Sequence, residues 1–386
     1  MVRAGRGSRA GRGETGAPRV PSPRAARRGR HAKRPTRRLA LIGAALTAVA
    51  AGLLVWWPRP ADPVATTPAA VLAAEAPAPY PTVAPPSTFV PMGGLALASL
   101  LRSLTPQPLA GGVHLPAGTP PPVLPPSGGW LPARRIVAYY GNPLSPAMGV
   151  LGWYPPAQDM ARLLRQAAAY TALTPSRPAV PAIDLVADVA QGSPGRGGLY
   201  RLRMPYSMME QELALARRYH ALLILDLQVG RSTVAAELPY YLPFLAQPDV
   251  ELALDPEFDM PPGEVPGKWI GTMPTSQINW AIDQMSRLVA QRHLPPKVVI
   301  VHQFTRGMVP NWRGIRPRPG VQFVLDTDGY GGQVLKLANY RRYITDHPIA
   351  PVRYGGMKLF YKYDVNLLSP AQVVALHPSP GLVIYQ

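Results

Sequence analysis

From residue 134 onward, short apolar runs alternate with longer amphipathic stretches, a rhythm that predicts strands alternating with helices and so a parallel sheet. Eight runs qualify as strands: 136–140, 180–186, 222–227, 250–254, 298–301, 321–325, 357–361 and 382–385. Helical spacing falls between them at 158–170, 209–220, 277–291 and 335–344, with a short helix at 370–376. Ser207 followed by Glu210 reads as a capping box, and Ser369-Pro370 as an N-cap with proline in the first helical position. The stretch 233–245 carries Pro239 and Pro243 and reads as a poor helix, while 306–320 reads as loop. Eight strands at this spacing predict an α/β fold of the (β/α)8 TIM type over 133–386, the chain stopping at its eighth strand. The alternative is a doubly wound open sheet. That fold calls for a glycine-rich turn after its first strand, and Gly141-Asn142-Pro143 is not one.

The preceding third of the chain has a different texture. Residues 1–38 hold thirteen Lys/Arg against Glu14, leaving +7 of the chain's net charge of +19 to everything else. A basic tail without apolar periodicity buries too little surface to fold, so it is expected to be disordered. It also lacks aromatic residues on which bases could stack, which argues against a nucleic-acid partner. Residues 39–57 form an uncharged apolar run ending in Trp56-Trp57, long enough for a transmembrane helix. With the basic flank on its amino side, the expected topology is a signal-anchor with the tail cytoplasmic and the rest extracytoplasmic. Cleavage as a signal peptide is the alternative. Residues 58–132 are crowded with proline and small residues, which favours an extended stalk, with 95–104 as a candidate short helix. The absence of cysteine excludes disulfides, a lipid-modified Cys anchor and thiol catalysis.

Barrel enzymes carry their chemistry at the carboxyl ends of the strands, and here polar residues stand at nearly every end. The second strand offers Asp184, the third Asp226 and Gln228, and the fourth Asp255 and Glu257. The fifth offers His302 and Gln303, the sixth Asp326 and Asp328, the seventh Lys362 and Asp364, and the eighth Gln386. On the third, fourth and sixth strands the apolar alternates would pack on helices, which aims Asp226, Asp255, Glu257, Asp326 and Asp328 into the mouth. Residues i and i+2 of a strand share a face, so Asp255 and Glu257 are expected side by side. Crowded carboxyl groups raise one another's pKa, which prepares a proton donor near neutral pH. Glu257 is the expected general acid, Asp255 its tuner, and Asp226 or Asp326 the base, nucleophile or charge stabiliser. Trp153, Trp269 and Trp312 lie in or near loops of the same face, Trp269 being the candidate for contact with a sugar ring. Long loops at 191–206 and 261–271 could wall a cleft. No Walker-type loop and no Gly-x-Ser-x-Gly elbow is present, which weakens nucleotide hydrolysis and serine esterase chemistry. With His302 alone among histidines at a strand end, the same acids could hold only a hard cation such as Mg2+ or Ca2+. No cofactor is expected.

Asp255-Pro256-Glu257 resembles the acid pair of chitinase-like barrels and of fungal-type muramidases, which implies Glu257 as the acid and Asp255 as its helper toward an N-acetyl group. The chain departs from the first in carrying Glu251 and Ala253 upstream on that strand. It departs from the second in lacking an acid at Val137-Ala138-Tyr139-Tyr140. A more specific likeness runs over most of 136–386, through Val137 to Pro143, Ser193 to Arg201, Leu254 to Phe258, Pro266 to Gly271, Val301 to Phe304, Lys358 to Asp364 and Val383 to Gln386. In these the chain is similar to a family of exported, membrane-anchored bacterial proteins of unassigned function with a glycoside-hydrolase-like (β/α)8 barrel. The expected protein is an anchored glycoside hydrolase acting on a cell-wall or surface polysaccharide. A non-catalytic glycan-binding or scaffold barrel and a carboxylate-metal-dependent hydrolase are the alternatives.

Overall fold

The structure is a computed structural model that describes residues 112–346 and 353–386. The basic tail, the apolar run 39–57, the candidate helix 95–104 and most of the stalk lie outside the described residues. Among the described residues, no helix is long and apolar enough to cross a membrane.

Eight parallel strands close on themselves: β1 (Arg135–Gly141), β2 (Ala179–Ala190), β4 (Leu222–Leu227), β5 (Val250–Leu254), β6 (Lys297–Gln303), β7 (Val321–Thr327), β8 (Arg353–Leu359) and β9 (Leu382–Tyr385). Strand β1 pairs with β2 on one side and with β9 on the other, which closes the barrel. A ninth strand, β3 (Arg201–Arg203), folds back antiparallel on the end of β2. The helices α1 (Pro156–Leu173), α2 (Tyr206–Arg218), α3 (Val234–Leu245), α4 (Thr275–Arg292), α5 (Gln333–Tyr340) and α6 (Pro370–Val374) lie in the connections between strands. The TIM-type barrel expected from the strand rhythm is therefore present.

Period-two alternation divides the core in two. Outward residues such as Leu223, Leu225 and Leu227 of β4, Leu252 and Leu254 of β5, and Phe323 and Leu325 of β7 pack in one apolar cluster with the helices. Inward residues, among them Ile136, Ala138, Ala182, Ile224, Ala253, Ile300, Val324 and Ile384, fill the barrel itself. The small inward residues leave room for larger neighbours. A Cβ on Gly356 would stand 2.6 Å from Asp326 Oδ1, so this glycine leaves room for the carboxylate of its partner on the adjacent strand.

Three local expectations change. The stretch with Pro239 and Pro243 is helical. Thr233 caps it by accepting a hydrogen bond from Ala236 N, and the carbonyls the prolines leave unpaired belong to Ala235 and Pro239, both exposed to water. The apolar face of Leu238, Tyr241, Phe244 and Leu245 overrides the weak propensity by burial. The capping box at Ser207 and Glu210 does not form, because α2 begins at Tyr206 with Pro205 as its cap. Glu210 instead accepts a hydrogen bond from His114 N at 2.6 Å. Strand β8 spans Arg353–Leu359 rather than 357–361, a shift that changes which residues end it.

The last turn of the proline-rich segment belongs to the barrel. Trp130 and Leu131 are buried at the amino-terminal end of the strands, where Trp130 Nε1 donates to Glu251 Oε1 at 3.0 Å and Leu131 N donates to Gln322 Oε1 at 3.1 Å. Gln322 Nε2 donates in turn to the carbonyls of Gly128 and Leu131, so one side chain holds the plug from both directions. Trp130→Ala is expected to destabilise the fold by about 3–5 kcal/mol, because it opens a void in the barrel floor and strips Glu251 of a donor. Urea unfolding followed by tryptophan fluorescence and circular dichroism checks this. A loss below about 1 kcal/mol would mean that the plug is peripheral.

Candidate active site

At the carboxyl end of the barrel the inward positions turn from apolar to ionisable. Asp184, Asp226, Asp255, His302, Asp326, Asp328 and Lys358 are all buried there, and Glu257 is half-buried above them. The acids expected to converge do converge, contributed by β2, β4, β7 and the turns after β5 and β7.

Glu257 reaches its place by a turn, not by strand alternation. Strand β5 ends at Leu254, and Pro256–Phe258 forms a single 3-10 turn capped by Asp255, whose Oδ1 accepts from Glu257 N at 3.2 Å. Proline at the first position of that turn fixes its backbone, and Gly271 N donates to Glu257 O at 2.6 Å from the following loop. Burial, reinforced by the neighbouring Asp255 and Asp328 carboxylates, pushes the Glu257 carboxyl up to about 8. Asp255 is pushed up to about 7 by burial and by Asp226. Glu257 is therefore a protonated acid at neutral pH, half-buried above the other acids and the two cations of the cluster.

Beneath it sits His302, on β6. Its Nδ1 lies 3.0 Å from Asp326 Oδ2 and 3.8 Å from Asp328 Oδ2, and its Nε2 lies 3.3 Å from Asp226 Oδ2. Burial and the Lys358 ammonium oppose charging of the ring, but Asp226 and Asp326 outweigh them and hold the imidazole well above its usual pKa. Lys358 Nζ stands 3.0 Å from Asp328 Oδ2 and 3.7 Å from the centre of the Tyr140 ring. Burial works against its charge, yet Asp328 and the other acids keep it firmly an ammonium. Asp328 is held below the usual carboxylate range, since Lys358 and His302 overcome the cost of its burial. Asp184 has no hydrogen-bond partner on either oxygen, and burial followed by Asp226 raises it far above the usual range, which makes it a neutral carboxylic acid.

The remaining expected residues separate into those at the cluster and those committed elsewhere. Gln228 joins the cluster, its Nε2 donating to Tyr140 Oη at 3.1 Å and approaching Asp255 Oδ2 at 3.4 Å. Gln303 donates to the carbonyl of Thr305, and Gln386 to that of Met148. Asp364 is engaged by Lys336 at 3.1 Å and by two backbone N–H groups. Lys362 is exposed, with its ammonium 4.1 Å from the Trp153 ring, and Trp153 Nε1 donates to Pro146 O. Trp312 is half-buried beside Arg313, whereas Trp269 is 59% exposed. The two long loops interlock with the one after β4: Arg231 N donates to Leu199 O at 2.7 Å and Arg231 Nε to Glu264 O at 2.7 Å.

Two residues of the cluster lie outside the set that sequence reasoning assembled. Lys358 was displaced from it by the two-residue error in β8: in the true register Met357 and Leu359 face the helices, and Gly356 and Lys358 face inward. Tyr140 was concealed in the apolar run of β1, although its alternation with the outward Val137 and Tyr139 marks it as inward.

His302, Asp326 and Asp328 each offer one ligand atom, and the three atoms lie within 4.8 Å of one another. A metal ion there would have to share Asp328 with the Lys358 ammonium 3.0 Å away, and would meet an imidazole that its acids keep protonated. The donor set fits a metal poorly because the chain supplies its own two cations. A hollow of about 490 Å3 lined by Val123, Trp130, Arg134, Val180 and His220 lies at the opposite end of the barrel, away from the acids.

Fold and cluster together define a closed TIM-type barrel with an acidic, internally compensated mouth. No family model, curated protein or solved structure matches the chain.

Proposed function

We propose that the protein hydrolyses glycosidic bonds of a cell-wall or surface polysaccharide: Glu257 donates its proton to the leaving oxygen as the glycosidic C–O bond breaks, water adds to the anomeric carbon, and the proton that water loses returns to the Glu257 carboxylate. The observation that carries this reading is the half-buried Glu257 carboxyl, pushed up to about 8 by burial and by Asp255, above a floor of further acids. A carboxylic acid that keeps its proton at neutral pH is what glycosidic bond cleavage requires of its general acid. Positive charge developing on the sugar ring would face Asp255 and the buried acids below, which supports the same step electrostatically. Asp255 serves as the positioning residue, since it caps the turn that presents Glu257. Asp226 and Asp326 act through His302 by holding it charged, and in this conformation they lie too deep to touch a substrate. The apolar run 39–57 and its basic flank support an anchored barrel on the extracytoplasmic side, where such polymers occur.

The depth of Asp184, Asp226 and Asp326 favours a second reading, a glycan-binding barrel without turnover. The two separate on one assay: reducing ends released by the purified protein from peptidoglycan, chitin and other β-linked polysaccharides. Release is expected, and excess EDTA is expected to leave it unchanged because Lys358 and His302 fill the cationic role. Binding without release would establish the second reading, and activity abolished by EDTA and restored by Mg2+ or Ca2+ would establish metal-dependent hydrolysis.

A further inference from the structure

We propose that Tyr330 and Tyr363 form a sugar-stacking subsite that extends the mouth along the β7 and β8 side, an inference that rests on the glycoside-hydrolase reading above. Both rings are open to solvent, Tyr330 at 46% and Tyr363 at 53%, with centroids 5.5 Å apart and planes inclined at 45°. Large aromatic side chains usually bury most of their surface, so an exposed adjacent pair needs a reason.

The reason is not slack loops, because the two loops that carry the pair are tied together from below. Asp364 accepts from Gly331 N through one oxygen and from Phe360 N through the other, both at 2.9 Å, and its side chain pairs with Lys336 Nζ at 3.1 Å. Lys336 donates further to the carbonyls of Gly329 and Lys358, both at 2.6 Å, while Val365 N donates to Gly331 O. Phe360 is buried under Tyr330, their centroids 5.9 Å apart in an edge-on arrangement, and the Lys336 ammonium stands 4.5 Å from the Phe360 ring. A buried ion pair and an aromatic support thus hold two rings that remain about half open to solvent. Rings held rigidly before a ligand arrives lose little freedom when it binds.

The occupant follows from where the pair stands. Tyr330 comes two residues after Asp328, and Phe360 two residues after Lys358, so the platform continues the charged mouth without a gap in the chain. Trp269 is 59% exposed in the loop whose Gly271 donates to Glu257 O. Exposed aromatic side chains therefore stand both in the segment after β5, which carries the proposed proton donor, and in the loops after β7 and β8. The negative face of a tyrosine ring attracts the weakly positive axial C–H groups of a pyranose, and its hydroxyl offers a hydrogen bond at the edge. A chain of sugar rings running past Glu257 would set its distal rings on Tyr330 and Tyr363.

The test uses the purified full-length protein with β-1,4-linked N-acetylglucosamine oligomers of two and six units. Tyr330→Ala and Tyr363→Ala are each expected to raise KM for the six-unit oligomer about tenfold, the loss of one aromatic contact, and to raise it far less for the two-unit one. Tyr330→Phe and Tyr363→Phe, which keep the rings, are expected to restore the preference for the longer chain, and this separates stacking from misfolding. An equal rise for both lengths, or none, overturns the subsite. Absence of turnover by the wild-type protein on these oligomers and on the polysaccharides above removes the acid/base reading, while an unchanged Kd of both alanine variants for the six-unit oligomer overturns the subsite independently.

Discussion

Glu257→Gln is expected to lower kcat on a responsive glycan by about 10³-fold while changing KM little, since the substitution keeps shape and removes only the transferable proton. The wild-type rate should follow the protonated fraction of this carboxyl. With the group pushed up to about 8 by burial and by Asp255, activity is fully present below that pH and falls as the pH rises through it. Asp255, pushed up to about 7, is close enough that the limb belongs to the pair of acids and not to one residue. The variant should lose both the rate and the alkaline limb. A pH–rate profile of Glu257→Gln that superimposes on the wild type, at any scale, would remove this carboxyl from the proton transfer. Asp255→Asn should behave differently. It keeps the capping oxygen for Glu257 N but removes a negative neighbour, so the limb should move to lower pH as Glu257 loses part of its upward shift.

Most of the barrel was legible because a closed parallel sheet buries both faces of each strand, and such strands read as short continuous apolar runs. The runs 222–227, 250–254 and 382–385 match β4, β5 and β9 to the residue. What escaped did so for definable reasons. The strand β8 opens Arg353-Tyr354-Gly355-Gly356, and glycine lowers strand propensity, so the pattern favours the more apolar Met357 to Tyr361 and misses Lys358. The helix α3 was obscured by two prolines that do no harm where the carbonyls they orphan face water. The hairpin strand β3 is three residues of Arg-Leu-Arg, held by a buried Glu237 that pairs with Arg201 at 2.9 Å and Arg203 at 2.7 Å. No local pattern announces a pairing across that distance in sequence. The convergence of the acids was visible as residue type at strand ends. Their depth was not, because depth depends on how far each strand runs beyond its last apolar residue and on which loops close over it. Glu257 illustrates the difference: the sequence placed it beside Asp255 by alternation, and the structure does so by a capped turn.

Lys358→Met is expected to be the most destabilising single change in the mouth, about 3–5 kcal/mol near pH 7, because it removes the partner of a buried carboxylate while keeping the volume of the stem. Asp328 is held below the usual range by Lys358 and His302, so its contribution to stability is present above the ordinary carboxylate pKa and is lost as the pH falls through its own lowered value. Without the ammonium that balance reverses. Burial then dominates and raises the Asp328 carboxyl, which takes up a proton in the folded state and recovers stability as the pH falls. The difference between variant and wild type should therefore shrink from about pH 7 to about pH 5, as the acids gain protons they can no longer do without. The same substitution removes a charge that lowers the Glu257 carboxyl, so the alkaline limb of activity should move up in the fraction that remains folded. Urea unfolding at both pH values, paired with a pH–rate profile, reads the two effects independently. A variant as stable as the wild type near pH 7 would show that Asp328 does not depend on Lys358. The mouth would then be compensated by protons shared among the acids, with His302 as its sole fixed cation at the cluster's centre.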